Sequence, residues 1–202
     1  MRSVGKLIRK TGKVLHRSMK TGWYRHFYVH SRLRDRAVLL ESRNGLDVAG
    51  NIFYLMQAMQ SGRYGKRKLY LSVCPQVRSR AEALIAQYRL RGVSLVRQGS
   101  LRYYRLLAQV RYLFTDTSLP RAYIKKDGQI LVNTWHGTPL KKMGKYNLTE
   151  RHSMGNIQRN LLFSDYLVFP NDYMRETMLE SYNIDTSFRG EALCAGYPRN
   201  SV

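Results

Sequence analysis

Residues 68–97 read KLYLSVCPQVRSRAEALIAQYRLRGVSLVR, and they hold a complete strand–helix–strand unit. Lys68–Cys74 is an apolar run of strand-forming residues that Pro75 stops. Arg78–Arg91 has the length of a helix, and Gly92 stands where a C′ glycine closes one. Val93–Arg97 is a second short apolar run. Two such runs joined by a helix form a parallel βαβ unit, because parallel strands need a long crossover. The same alternation extends outward in both directions. Toward the N-terminus, Ala37–Glu41 reads as a strand, Ser42–Gly50 as a polar loop with two glycines, and Asn51–Gln60 as a helix. That helix puts Ile52, Leu55, Met56 and Met59 on one face, and Gly62–Gly65 breaks it. Toward the C-terminus, Ser100 is placed to N-cap a helix through about Val110, followed by a strand at Arg111–Thr115. Ile124–Gly128 reads as a turn and Gln129–Trp135 as a strand; Ser153–Phe163 then reads as a helix. Tyr166–Pro170 (strand), Asp172–Tyr182 (helix) and Ala192–Ala195 (strand) complete the pattern. The expected class is α/β: a doubly wound parallel sheet with flanking helices, binding ligands beyond the carboxyl ends of its strands. Neither a repeat nor a Pro- or Ser-rich linker interrupts residues 35–202, which read as one domain.

The chain of 202 residues carries 35 Lys and Arg against 13 Asp and Glu, a formal charge of +22. At 44% hydrophobic it is too apolar for a disordered polycation. No apolar run approaches the roughly 18 residues of a spanning helix. No apolar stretch follows the N-terminal charges as in a secretory signal. The two cysteines, Cys74 and Cys194, are too few for a disulfide framework; a reducing, cytoplasmic setting and buried core positions are expected for both. No Cys/His cluster has metal-ligand spacing, so no metal is expected. Tyr103 and Tyr104, flanked by Arg102 and Arg105, are the kind of pair that stacks on bases, but they read more simply as a helix face with snorkelling arginines.

The charge is uneven. Residues 1–34 hold ten Lys or Arg and no acid, which leaves +12 for the other 168 residues. Val4, Leu7, Ile8, Val14, Leu15 and Met19 recur at helical spacing along an arc of about 140°. Arg2, Lys6, Arg9, Lys10, Lys13, Arg17 and Lys20 fall on the opposite arc, and Trp23, Tyr24, Phe27 and Tyr28 follow. A basic face, an apolar face and interfacial aromatics suit a helix lying on an anionic membrane, with Lys6, Arg9, Lys10, Lys13, Arg17, Lys20 and Trp23 as its contacts. Gly5 and Gly12 weaken the helix in isolation by about 1 kcal/mol each. A helix packed on its own domain and a nucleic-acid arm are the competing readings of the same pattern.

Chemistry concentrates in Asn133–Lys142, NTWHGTPLKK. His136 follows a predicted strand, at the edge where α/β sheets place reactive groups. Histidine suits proton transfer near neutral pH. Gly137 permits a tight turn or the close approach of a ligand. Thr138 and Pro139 form an N-cap and N1 pair for a new helix, whose N-terminus, with Lys141 and Lys142, would cradle a phosphate. Asn171 and Arg199 stand at two further strand ends: the first as ligand contact or helix cap, the second as phosphate contact or ion-pair partner.

The run NTWHGTPLKKMG resembles the signature of the CDP-glycerol glycerophosphotransferase family, which builds the polyol-phosphate chains of bacterial teichoic acids. Three supporting segments lie in the family's order: Glu41-Ser42 with Gly45 and Asn51; Phe169-Pro170-Asn171 with Tyr173; and Ala195-Gly196-Tyr197-Pro198-Arg199-Asn200. Arg43 replaces the usual aromatic of the first segment, and Ser201 stands where Asp is usual after the last. The resemblance implies a GT-B fold of two Rossmann-like lobes. It implies transfer of glycerol phosphate from CDP-glycerol, the donor substrate, to a hydroxyl of a lipid-linked acceptor with release of CMP. His136 is then the base, Gly137, Thr138, Lys141, Lys142, Asn171 and Arg199 bind substrate or phosphate, and no cofactor is needed. The chain corresponds to the N-terminal, acceptor-side lobe. It is expected to be an incomplete half, peripheral on the cytoplasmic face of the cell membrane, with the nucleotide-binding C-terminal lobe as missing partner. None of His16, His26, His30 and His152 suits the second lobe's histidine. Two other functions stay open: a non-catalytic lobe that binds anionic membrane or polyanionic polymer, and, third, a nucleic-acid-binding protein.

Overall fold

The computed structural model describes residues 2–200 except Arg151, with side chains described from Thr11 onward. Thus the side chains of Lys6, Arg9 and Lys10, and Ser201, lie outside the described residues. Helix α1 (Arg2–His30) leads into strand β1 (Arg34–Glu41), then α2 (Gly50–Ala58) and β2 (Lys68–Val73). The order continues α3 (Arg78–Gln87), β3 (Val93–Arg97), α4 (Leu101–Gln109), β4 (Val110–Thr115) and β5 (Ile130–Asn133). It closes with α5 (Gly155–Phe163), β6 (Tyr166–Phe169), α6 (Asp172–Ser181) and β7 (Glu191–Cys194). All seven strands are parallel, in the order β3-β2-β1-β4-β5-β6-β7. The chain winds outward from β1, then crosses over to start again at β4. The carboxyl ends of β1 and β4 therefore flank the crevice where such sheets bind ligands.

Period-2 alternation divides the sheet's side chains between its two faces, which carry three apolar clusters. Leu39, Leu113 and Leu131 pack under α1 and α4, with Tyr103, Tyr104 and Leu107. Val38, Leu40, Leu69 and Leu71 pack under α2 and α3, with Ile52 and Met56. Leu167 and Phe169 carry α5 and α6 through Leu161, Met174 and Met178. Buried Gln129 joins the first core to β5. Its Nε2 donates to Leu107 O at 2.8 Å and Val110 O at 2.9 Å, and its Oε1 accepts from Lys126 N.

Several elements end elsewhere than the sequence predicts. Helix α3 stops at Gln87, four residues short of Arg91, because Arg89 takes the left-handed conformation (φ 50°) and Leu90 N donates back to Ile85 O. The strand expected to reach Trp135 stops at Asn133, because Trp135 itself turns left-handed at φ 51°. Ser100 caps α4 as expected, accepting from Tyr103 N. No helix follows Thr138-Pro139: residues 138–143 run as an irregular loop, with Leu140 fully exposed. The segment has no apolar face to bury, and a cap alone does not sustain a helix in water. The cysteines also depart from expectation: Cys74 is half-exposed beyond the end of β2, and Cys194 is exposed at the end of the edge strand β7.

Helix α1 has two unlike halves. Tyr24 is buried, and Trp23, Phe27 and Tyr28 pack against the core beneath α4, with the Trp23 and Tyr104 rings 6.3 Å apart. The Tyr24 hydroxyl donates to Ile124 O. Burial of such rings, at roughly 2 kcal/mol each, outweighs the cost of about 1 kcal/mol for a helical glycine such as Gly22. Upstream, Val14, Leu15 and Met19 are exposed. At about 100° per residue they face away from the side that carries Tyr24 and Phe27.

Candidate functional site

The conformation of Trp135 determines where His136 points. Few bulky residues adopt positive φ, and the strain is of order 1–3 kcal/mol. Three contacts hold it. Trp135 N donates to Asn133 Oδ1 at 2.9 Å, Asn51 Nδ2 donates to Trp135 O at 3.2 Å, and the indole is buried against Tyr182. Asn133 in turn donates from Nδ2 to Thr117 O at 2.8 Å. The turn swings the His136 ring back over the indole, stacked at 4.6 Å, and toward β4.

There His136 Nδ1 donates to the main-chain carbonyl of Asp116 at 2.8 Å. This commits Nδ1 as the protonated nitrogen and leaves the lone pair on Nε2. The Asp116 carboxylate points the other way, accepting from Ser42 Oγ and from Arg43 N, each at 2.7 Å. Burial raises its pKa, and these two bonds oppose the shift. Arg199 Nη1 donates to His136 O at 3.2 Å, and its guanidinium lies over the Tyr197 ring.

Behind this layer lies a buried acid. Glu41, at the end of β1, accepts from Ser72 Oγ at 2.6 Å through Oε2. Its Oε1 and the Tyr103 hydroxyl are both buried without a hydrogen-bond partner. Burial pushes the Glu41 pKa up to about 7, the Ser72 hydrogen bond opposes the rise, and Asp116 adds to it.

The predicted site residues do not all converge. His136 lines an open cleft of about 490 Å³, with Asn44, Thr117, Arg121 and Asn156 among its walls. Gly137 does not make the turn, which Trp135 makes instead; a side chain at 137 would meet nothing, so its place is open to a ligand. Thr138, Lys141 and Lys142 are exposed along the irregular loop and form no helical cradle. Asn171 caps α6, its Oδ1 accepting from Met174 N at 2.9 Å. Arg199 acts on the main chain of the histidine. Lys13 and Arg17 are exposed, and Trp23 is half-buried on the lobe. Lys20 lies inside the His136 cleft.

The sequence reading omits two of these groups, Asp116 and Arg121, and gives a third, Lys20, to the membrane face. Asp116 directly follows a predicted strand, a position that could have marked it. Lys20 heads the series Lys20, Trp23, Tyr24, Phe27, Tyr28, whose i, i+3, i+4, i+7, i+8 spacing puts it on the lobe-facing side of α1. Arg121 carries no comparable mark.

Residues 23–202 match the family described as CDP-Glycerol:Poly(glycerophosphate) glycerophosphotransferase. The teichoic acid poly(glycerol phosphate) polymerase of Bacillus subtilis (strain 168) is 26% identical, aligned over 96% of this chain and 26% of that protein. The teichoic acid glycerol-phosphate transferase of Staphylococcus aureus (strain NCTC 8325 / PS 47) is 28% identical over 54% of this chain and 29% of that protein. A variant of the wall teichoic acid polymerase TagF superposes with a TM-score of 0.71 at 20% identity, over 99% of this chain and 48% of that one. The chain thus spans about half the length of the solved structures and about a quarter of these curated relatives. The seven-stranded parallel sheet is the TagF fold over that half. By the match over residues 23–202, the chain belongs to the CDP-glycerol:poly(glycerophosphate) glycerophosphotransferase family.

Proposed function

We propose that this chain is the acceptor-side lobe of a teichoic acid polymerase, and that His136 is the general base for transfer of glycerol phosphate from CDP-glycerol to a lipid-linked acceptor. His136 Nε2 takes the proton of the acceptor hydroxyl. The hydroxyl oxygen attacks the phosphorus next to glycerol, the bond from that phosphorus to the CMP phosphate oxygen breaks, and CMP leaves. Asp116 O keeps the proton on Nδ1, Arg199 and Asn51 hold the main chain around the ring, and the open place beside Gly137 admits the reacting phosphate. The single observation that carries this reading is the Nδ1–Asp116 O bond, which gives a ring facing an open cleft a free Nε2. The half of the solved relatives' length that this chain does not span would supply the nucleotide site.

The test is CMP release from CDP-glycerol in the presence of acceptor, with this chain joined to the part of the solved TagF polymerase that it does not span. His136→Ala is expected to lower the rate at least about 100-fold with no loss of folding, since general bases contribute about 10²–10⁴-fold. Retention of more than about a tenth of the rate refutes the base role.

The exposed stripe of Val14, Leu15 and Met19 supports a peripheral position on the cytoplasmic leaflet, with the stripe toward lipid and the lobe on the far side of α1. Among the described residues, no helix is long and apolar enough to cross a membrane. Deleting residues 1–30 would remove Tyr24 from the core, so point variants are the sounder test. Leu15→Asp is expected to lower binding to anionic vesicles more than about tenfold; unchanged binding refutes this placement.

A further inference from the structure

Four observations single out one wall of the His136 cleft. Lys20 is half-buried there, and its ammonium lies 3.1 Å from where a side chain would begin on Gly99. Gly99, at φ +71°, thus leaves the room that lets a lysine from α1 reach the cleft. Arg121 stands on the same wall, and the cleft continues past it into a second of about 450 Å³ bordered by Arg159. Arg159 is held rigidly: Nη1 donates to Arg121 O at 2.8 Å, and Nη2 to Pro120 O and Asn156 Oδ1. Its Nε is buried without a partner. Burial and the neighbouring Arg121 both lower its pKa, the direction that crowding of like charges gives. Among the described residues, no carboxylate lies within ion-pair distance of Lys20, Arg121 or Arg159. Three cations from three segments line one connected depression, and among the described residues nothing of opposite charge lines it.

We infer that Lys20 and Arg121, backed by Arg159, form an anion subsite beside His136 that takes a phosphodiester of the acceptor chain. The inference rests on the acceptor-side reading above. A glycerol phosphate acceptor carries its own phosphodiester a few bonds from the terminal hydroxyl. A base that is to reach that hydroxyl gains alignment when the phosphodiester is held by fixed cations at its side. Helix α1 then has two roles, for its lobe-facing side forms part of the active-site wall while its apolar stripe looks outward.

The test is titration calorimetry on the intact 202-residue chain with a short, lipid-free glycerol phosphate oligomer, run beside co-sedimentation with phosphatidylglycerol vesicles. Lys20→Met and Arg121→Gln are each expected to weaken oligomer binding about tenfold. Lys66→Met, exposed beside the start of β2 at the far end of the sheet, should change it less than twofold. Vesicle binding should be unchanged by Lys20→Met. Three results overturn the inference: no oligomer binding by the parent chain, an equal loss in Lys66→Met, or lost vesicle binding with oligomer affinity kept in Lys20→Met. The last would make Lys20 a lipid-headgroup contact. Lys20 makes no hydrogen bond within the fold among the described residues, so its variant decides the matter if Arg121→Gln does not fold. Failure of His136 in the transfer assay, with the oligomer pattern intact, would refute the base role and leave the subsite standing.

Discussion

Glu41→Gln tests whether the fold carries a buried acid beneath the layer that holds His136. The carboxyl is 1% exposed, with one hydrogen bond from Ser72 and a second oxygen unpartnered. Its pKa rises from 4.5 to about 7, mainly through burial. A carboxyl with a raised folded-state pKa stabilises the fold while it is protonated. That contribution is complete below the unfolded value and is lost as pH climbs through the folded one. A shift of this size corresponds to about 3 kcal/mol lost between pH 4 and pH 8. Gln has nearly the same shape, still accepts from Ser72, and does not titrate. The variant should therefore lack that part of the pH dependence and become more stable than the parent above pH 7. The assay is urea unfolding followed by tryptophan fluorescence at pH 4, 6 and 8 for both proteins, so that groups titrating alike in both cancel. Parallel stability profiles, differing in slope by less than about 0.5 kcal/mol over the window, would refute the reasoning. A carboxyl in that state would be solvated or paired by a cation rather than buried.

Three further changes test the supports of the site. Tyr24→Phe removes the hydroxyl that ties α1 to Ile124 O and should cost about 1 kcal/mol in thermal unfolding, since water can reach the freed carbonyl. Asn51→Ala removes the two donations to Thr134 O and Trp135 O inside a buried layer. It should cost about 2 kcal/mol and speed hydrogen exchange at Trp135–Gly137 ahead of global unfolding. Gly144→Ala should cost more than about 2 kcal/mol by chemical denaturation, because the new methyl overlaps the Ser181 carbonyl and φ is 54°; an unchanged midpoint would show that the 140–150 loop is free to move.

The sheet was legible because strands buried on both faces show up as near-continuous apolar runs, as in Ala37–Leu40 and in Leu69–Val73, which only Ser72 interrupts. Ser100 was legible as a cap because one side chain and one local amide make up that contact. Asn171 was legible only as ligand contact or cap, and the Met174 amide decides for the cap. The environment of His136 could not be read in the same way. Its partner is a main-chain carbonyl 20 residues away, and main-chain carbonyls are the same in every sequence. Thr138-Pro139 is a false helix start because it has local capping propensity but no apolar face follows it. By its charge alone Lys20 groups with Lys13 and Arg17 on the basic arc. Its spacing to Trp23 and Tyr24 placed it with the packing residues instead.

The partner of the His136 Nδ1 proton is a peptide oxygen, and this has a consequence for variation. A carboxylate in that role would be removable by one codon change, and its protonation would make the orientation of the ring depend on acidity. A peptide oxygen has neither weakness. Residue 116 can change while the oxygen that faces the histidine stays, so long as β4 ends where it does. The orientation of the His136 ring is thus inherited from strand register, and natural variants at position 116 should show altered stability well before an altered ring position.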